Sequence, residues 1–186
     1  VSEPPHSNTI TVTGWREWVN LPGVGIPWIK AKLDTGARTS SLHAFDIEEI
    51  GTDAAPAVRF GVHPWQNSDL DAVVVELPIH DRRSVRSSSG HLEDRLVVLI
   101  DVVLLGRPVT AEVTLTNRDV MGFRMLIGRE ALRQGFVVDS ASSFLGGRAP
   151  KRIRRRNRGP RQTKNADHTV TWRSPTGRSY TDPPPF

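Results

Sequence analysis

Between Thr9 and Asp139 the sequence keeps returning to a period of two. Val109-Thr110-Ala111-Glu112-Val113-Thr114-Leu115-Thr116 alternates without a break, the pattern of a strand with one buried face. The same alternation runs through Thr9–Gly14, Trp15–Leu21 and Ser40–Ile50. Apolar runs rich in Val and Ile follow at Val58–Val62, Ala72–Ile79, Leu92–Arg107, Met125–Ile127 and Phe136–Asp139. Turn chemistry separates them: Pro22-Gly23-Val24-Gly25 makes a hairpin that delivers the chain to Asp34, and Gly106-Arg107-Pro108 breaks the longest run. Only the six residues after Gly128, closed by Gly135, read as helix. Many short strands, frequent turns and one short helix near the C-terminal end predict an all-β fold, a barrel or a sandwich. In such a fold Trp15, Trp18 and Trp28 serve as core or rim packing.

Charge divides the chain. The net charge is +5, yet residues 148–186 carry eleven Lys or Arg against two acidic residues, while the other 147 residues carry fourteen against eighteen. The expected organisation is therefore a polar N-terminal lead-in over 1–9, a folded domain over 10–147, and a basic segment without regular structure over 148–186. The absence of cysteine excludes disulfides, thiolate metal sites and a cysteine nucleophile. No apolar run approaches the roughly 18 to 20 residues of a membrane span, and the start lacks a signal peptide's basic and apolar regions. The expectation is a soluble, cytoplasmic protein, or a periplasmic one if a leader has been removed.

The chemistry concentrates at Leu33-Asp34-Thr35-Gly36-Ala37. An aspartate at a strand end, followed by a hydroxyl residue and a glycine, predicts a rigid turn whose backbone N–H groups reach the carboxylate, with Gly36 supplying torsions other residues avoid. Aspartyl hydrolysis needs two such carboxylates around one water, sharing a proton because like charges at that distance cannot both ionise. One Asp-Thr-Gly is half of that arrangement. Phe136-Val137-Val138-Asp139-Ser140-Ala141 is a faint echo of it, but Ala141 stands where the glycine is needed, so Asp139 reads as structural. A helical His-Glu-x-x-His pair and a Gly-x-x-x-x-Gly-Lys-Ser/Thr phosphate loop are both missing, and His43, His91 and Glu93 read as polar site or surface residues rather than a zinc site. No metal or cofactor is expected.

Two stretches together resemble the retroviral-type aspartic proteases: Leu33-Asp34-Thr35-Gly36-Ala37, and Leu126-Ile127-Gly128-Arg129-Glu130-Ala131-Leu132 some ninety residues later. The likeness is closer to the bacterial retropepsin-like family named RimB or "ATP-dependent zinc protease" (DUF785). Gly14–Val19, Lys32–Ala44, Arg86–Arg95, Leu115–Arg118 and Leu126–Arg129 carry it, and it extends over roughly residues 12–145. The resemblance implies a retropepsin-like acid-protease barrel in which Asp34, Thr35 and Gly36 form the catalytic loop. It also implies that Thr35 braces paired loops, that Gly128 permits close backbone approach, and that a second copy of the chain supplies the other aspartate. Substrate contacts are expected from Ala37, Arg38, Arg86, Ser87, Ser88, Gly90 and His91, the segment Arg86–His91 closing as a flap. Any ATP dependence would belong to a partner such as a glutamate ligase.

The leading expectation is thus a homodimeric aspartic endopeptidase acting on peptide or protein substrates. The resemblance suggests glutamate-rich tails, for which Arg38, Arg82, Arg83, Arg86 and Arg118 offer charge-assisted hydrogen bonds or else stand as ordinary solvated surface. The alternative is a catalytically silent barrel whose basic tail docks on RNA or an acidic protein, with Trp172 and Tyr180 available for stacking and salt-dependent binding as its mark.

Overall fold

The computed structural model describes residues 10–65, 71–86, 92–116 and 122–147, together with backbone strands at 161–164, 170–173 and 179–182; of Arg86 the backbone alone is described. Strands β1 (Thr11–Gly14), β2 (Arg16–Leu21) and β3 (Ile26–Asp34) open the chain, with one 3-10 turn at Pro22–Val24 between the last two. They are followed by β4 (Ser40–His43), β5 (Phe45–Thr52), β6 (Ala55–Val62), β7 (Val73–Pro78), β8 (Asp81–Arg86), β9 (Leu92–Leu104) and β10 (Arg107–Thr116). The domain ends with β11 (Met125–Gly128), the single-turn helix α1 (Arg129–Leu132) and β12 (Phe136–Asp139).

The main sheet has the order β10-β4-β11-β3-β2-β9-β8, and β9 also pairs with β10, so six of its strands close on themselves as a barrel. Closure leaves β8 as a flange on β9. The period-two pattern does what it predicts: Ile29, Ala31 and Leu33 of β3, Val98, Ile100, Val102 and Leu104 of β9, and Val109, Ala111, Val113 and Leu115 of β10 all point inward and are buried. Strands β5, β6 and β7 form a separate antiparallel sheet, and β1 and β12 a two-stranded parallel one. Trp15, Trp18 and Trp28 are half-buried, as expected of packing residues. Trp15 meets Phe123 edge-on at 5.8 Å, and Trp18 lies between Trp65 and Phe144.

Four departures from the sequence reading have local causes. Ser40–Ile50 is not one strand: it breaks at Ala44, and Asp46 adopts a φ of 49°, so β4 stays in the barrel while β5 crosses to the other sheet. Asp81–Arg86, absent from the stretches that alternation marks as strands, is one, because it is in register with Leu92–Val97 and Arg83 is tied to Asp81 and Glu112. The helix after Gly128 stops after four residues, and Gly135 leads into β12 with a φ of 116°. The basic segment, expected to lack regular structure, contains β13 (Arg161–Lys164), β14 (Val170–Arg173) and β15 (Ser179–Asp182), an antiparallel meander. Alternation in Val170-Thr171-Trp172 and Ser179-Tyr180-Thr181 accounts for those strands. The chain divides into two units, Val1–Arg148 and Ala149–Phe186.

One buried acid fixes the end of the first unit to its beginning. Glu17 sits on the inward face of β2 and is fully buried. Its carboxylate accepts from the backbone N–H groups of Gly14 (2.9 Å), Leu145 (2.8 Å) and Gly146 (3.2 Å). Beside it, Trp15 donates to the Ser142 carbonyl and Phe144 to the Arg16 carbonyl. The turn between β1 and β2 and the loop after β12 are thereby locked together.

Candidate active site

Strand β3 lies between β2 and β11 and ends at Asp34. On one side Leu33 donates to the Trp15 carbonyl, and on the other Gly128 stands in register with Asp34. The loop that follows is pinned from below. Arg129 and Glu130 donate their backbone N–H groups to the carbonyls of Ala37 and Arg38, and the Ser40 hydroxyl accepts from Gly128 at 3.1 Å. A Cβ on Gly128 would fall 2.5 Å from the backbone of Thr39, so glycine is what lets β11 and the loop approach.

Within the loop, Asp34 Oδ1 accepts from the N–H groups of Gly36 at 3.0 Å and Ala37 at 3.2 Å. This is the expected turn, with one correction: Gly36 does not adopt a positive φ. Its lack of a side chain matters instead for space, since a Cβ there would sit 3.3 Å from Asp34 Oδ1. Asp34 Oδ2 is bound by the Lys32 ammonium at 3.1 Å. Burial pushes the Asp34 carboxyl up, but the Lys32 hydrogen bond, the Ala37 and Gly36 amides and the Lys32 charge outweigh it and hold the group below the ordinary aspartate value. The result is an ionised, positioned carboxylate whose side chain remains 26% exposed. Thr35 and Gly36 are exposed beside it, and the Thr35 carbonyl accepts from Arg129.

The structure brings Asp34, Thr35, Gly36 and Ala37 into one loop, with Arg38 at its edge. Arg86 is the last residue of β8, where its backbone pairs with Leu92. Ser87, Ser88, Gly90 and His91 lie outside the described residues, as does Arg118. The candidate arginines differ sharply. Arg82 makes a two-pronged contact with Glu49, and Arg83 is held by Asp81 at 2.6 Å and Glu112 at 2.5 Å. Among the described residues Arg38 has only Glu130 at 4.0 Å, with a side chain 79% exposed, and it borders a cleft of about 400 Å³ shared with Ser40, His80, Thr110 and Gln134. Asp139 is spent on its own turn, accepting from Ala141 N–H at 2.9 Å and the Ser142 hydroxyl at 2.6 Å. Glu93 is turned to Arg95 at 2.8 Å, and among the described residues no three His, Asp or Glu side chains are grouped to hold a metal.

Sequence reasoning passed over Lys32. The signal was available, because residues two apart on a strand share a face, and Lys30, Lys32 and Asp34 are so spaced.

A model of the RimB-like family, described as the retropepsin-like aspartic endopeptidase RimB, matches residues 12–149. The chain is 44% identical over 136 residues to a protein from Shewanella halifaxensis named probable alpha-L-glutamate ligase. It is 46% identical over 132 residues to one of the same name from Parasynechococcus marenigrum. These matches take in 73% and 71% of this chain but 30% and 28% of those proteins, so the chain spans under a third of their length. It is also similar to the crystal structure of a protein of unknown function (DUF785) from Legionella pneumophila, with 31% identity and a TM-score of 0.62 over 73% of this chain and 98% of that one.

Proposed function

The chain belongs to the RimB-like family of retropepsin-like aspartic endopeptidases, and from that premise we propose that it is an aspartic endopeptidase whose working form is a homodimer. The observation that carries the reading is the state of Asp34. It is a single ionised carboxylate, fixed by two backbone amides on an exposed loop, and it has no second carboxylate of its own chain as a hydrogen-bond partner among the described residues. A two-fold copy of that loop supplies the missing half. The two carboxylates then share one proton: the ionised member takes a proton from the bound water as it attacks the peptide carbonyl, and the protonated member donates to the carbonyl oxygen.

An exposed apolar face supports the two-copy reading. Val12 of β1 stands in register with Val137 of β12, and together with Ile10 they expose an apolar sheet face, at 53%, 51% and 66%. Strand β1 runs from this face directly to Trp15, which holds β3 beside Asp34.

For substrate, the reading is a glutamate-rich tail. A ligase that adds glutamate and a peptidase that removes it act on the same product, which is how the ligase names of the longer relatives support an acidic substrate. Arg38, loosely paired at the edge of the loop, is the arginine best placed to meet it. Hydrolysis of a glutamate-rich peptide by the wild-type chain and by Asp34→Ala tests the proposal. The variant is expected to stay folded and to lose at least about a thousandfold in kcat/KM; activity retained in it removes the aspartyl mechanism.

A further inference from the structure

The face of β3 that carries Asp34 also carries a ladder of positive charge. Lys30 and Lys32 precede Asp34 at intervals of two, and across the pair with β2, Arg16 stands opposite Lys32 and Trp18 opposite Lys30. Aromatic rings hold two of these cations in place. The Arg16 guanidinium lies 4.6 Å over Trp15 and 5.0 Å over Phe144, with its Nε donating to Ser143 Oγ at 3.2 Å. The Lys30 ammonium lies 4.9 Å over Phe123. Burial, and then the charge on Arg16, holds that ammonium below its ordinary value. Among the described residues the only carboxylate paired with any of the three is Asp34. The other cations around the loop are directed elsewhere, Arg129 to the Thr35 carbonyl and Arg38 towards Glu130.

Lys32 differs from its neighbours in having no aromatic support among the described residues. Its side chain is 45% exposed and its ammonium rests on Oδ2 of Asp34, the oxygen that the backbone amides leave free. Oδ1 already accepts two backbone hydrogen bonds, which leaves on Oδ2 the lone pairs open to a water or a second carboxylate. The cation there must be drawn away, and on this face a carboxylate is the group that draws it.

We propose that Lys32, with Arg16 and Lys30 behind it, is the specificity-determining residue of the site: it leaves Asp34 to receive a side-chain carboxylate of the substrate next to the scissile bond. The inference rests on the peptidase reading and adds the residue that selects its substrate. A glutamate side chain both binds the ladder and uncovers Oδ2. A neutral side chain leaves the ammonium where it is, so selection acts on the rate of cleavage as well as on binding.

The test compares kcat/KM for a glutamate-rich peptide and a glutamine-for-glutamate peptide of equal length in wild type, Lys32→Met and Lys32→Arg. Wild type is expected to prefer the glutamate peptide. Lys32→Met should lower that preference at least about tenfold, the scale of one charge-assisted hydrogen bond, through a fall on the glutamate peptide and a rise on the glutamine one. Lys32→Arg should keep most of it. An unchanged preference in Lys32→Met, or equal losses on both peptides, overturns the role. If wild type cleaves both peptides equally, Lys32 is not a selector although the peptidase reading stands; if it cleaves neither, both readings fall.

Discussion

Glu17 shows how much one side chain can fix. It occupies an inward position in the alternation Glu17-Val19-Leu21, where a carboxylate is costly unless every lone pair is met. Three backbone N–H groups meet it, two of them from residues nearly 130 positions later. Glu17→Ala is therefore expected to leave one buried and two partly buried donors without a partner and to lower stability by about 2 kcal/mol or more. Urea denaturation measures it, with Glu17→Gln intermediate because its single carbonyl oxygen can still accept. A loss under about 0.5 kcal/mol in the alanine variant rejects this account. At this scale the sequence was partly legible. Asp34 stands out because its turn is written in the three residues after it. Glu17 and Lys32 do not, because their roles depend on where a distant loop and a flexible ammonium come to rest, and alternation reports only the face a residue takes.

Among the elements, β11 is the one on which the site's shape turns. Its last residue, Gly128, has a φ of −86°, which any amino acid adopts, so the need for glycine is steric alone. The atoms a Cβ would meet, the carbonyl carbon and oxygen of Thr39 and the oxygen of Arg38, are backbone of the loop that positions Asp34, and they cannot rotate away. Gly128→Ala is expected to cost about 2 kcal/mol and to displace that loop, lowering both Tm and cleavage of an acidic peptide. Gly23→Ala is the control, since a methyl there meets nothing within 4 Å. Equal Tm values for the two variants would falsify the steric account. The pairing of Asp34 with Gly128 was suggested by the resemblance of two separate stretches, and the parallel register of β3 with β11 realises it. The break between β4 and β5 was only faintly legible: Ala44-Phe45 sets two apolar residues side by side, a slip in the alternation at the point where the chain changes sheets.

For the molecule as a whole, period-two patterning announced an all-β fold, barrel or sandwich, but not its closure. Alternation assigns a face to each strand and leaves its neighbours open, whereas the barrel is made by pairs far apart in sequence, β10 with β4 and β2 with β9. The same limit applies to assembly. Ile10 and Val12 read as ordinary strand residues until β12 is seen beside β1, with Val137 completing an apolar face that none of the described barrel strands covers. If the second Asp34 comes from a second copy docked through that face, a charge placed in its centre separates the copies without touching the barrel core. Val137→Asp is at an exposed position and leaves Phe136 and the inner face of β12 in place. It is expected to sediment as a monomer at concentrations where wild type is a dimer, to unfold at a Tm within a few degrees of wild type, and to lose cleavage in proportion to the lost dimer. Burying an unpaired carboxylate in a dimer interface costs several kcal/mol, enough to shift a micromolar association beyond reach at assay concentrations. A Val137→Asp chain that still sediments as a dimer places the interface elsewhere, and one that cleaves as a monomer removes the two-copy site altogether.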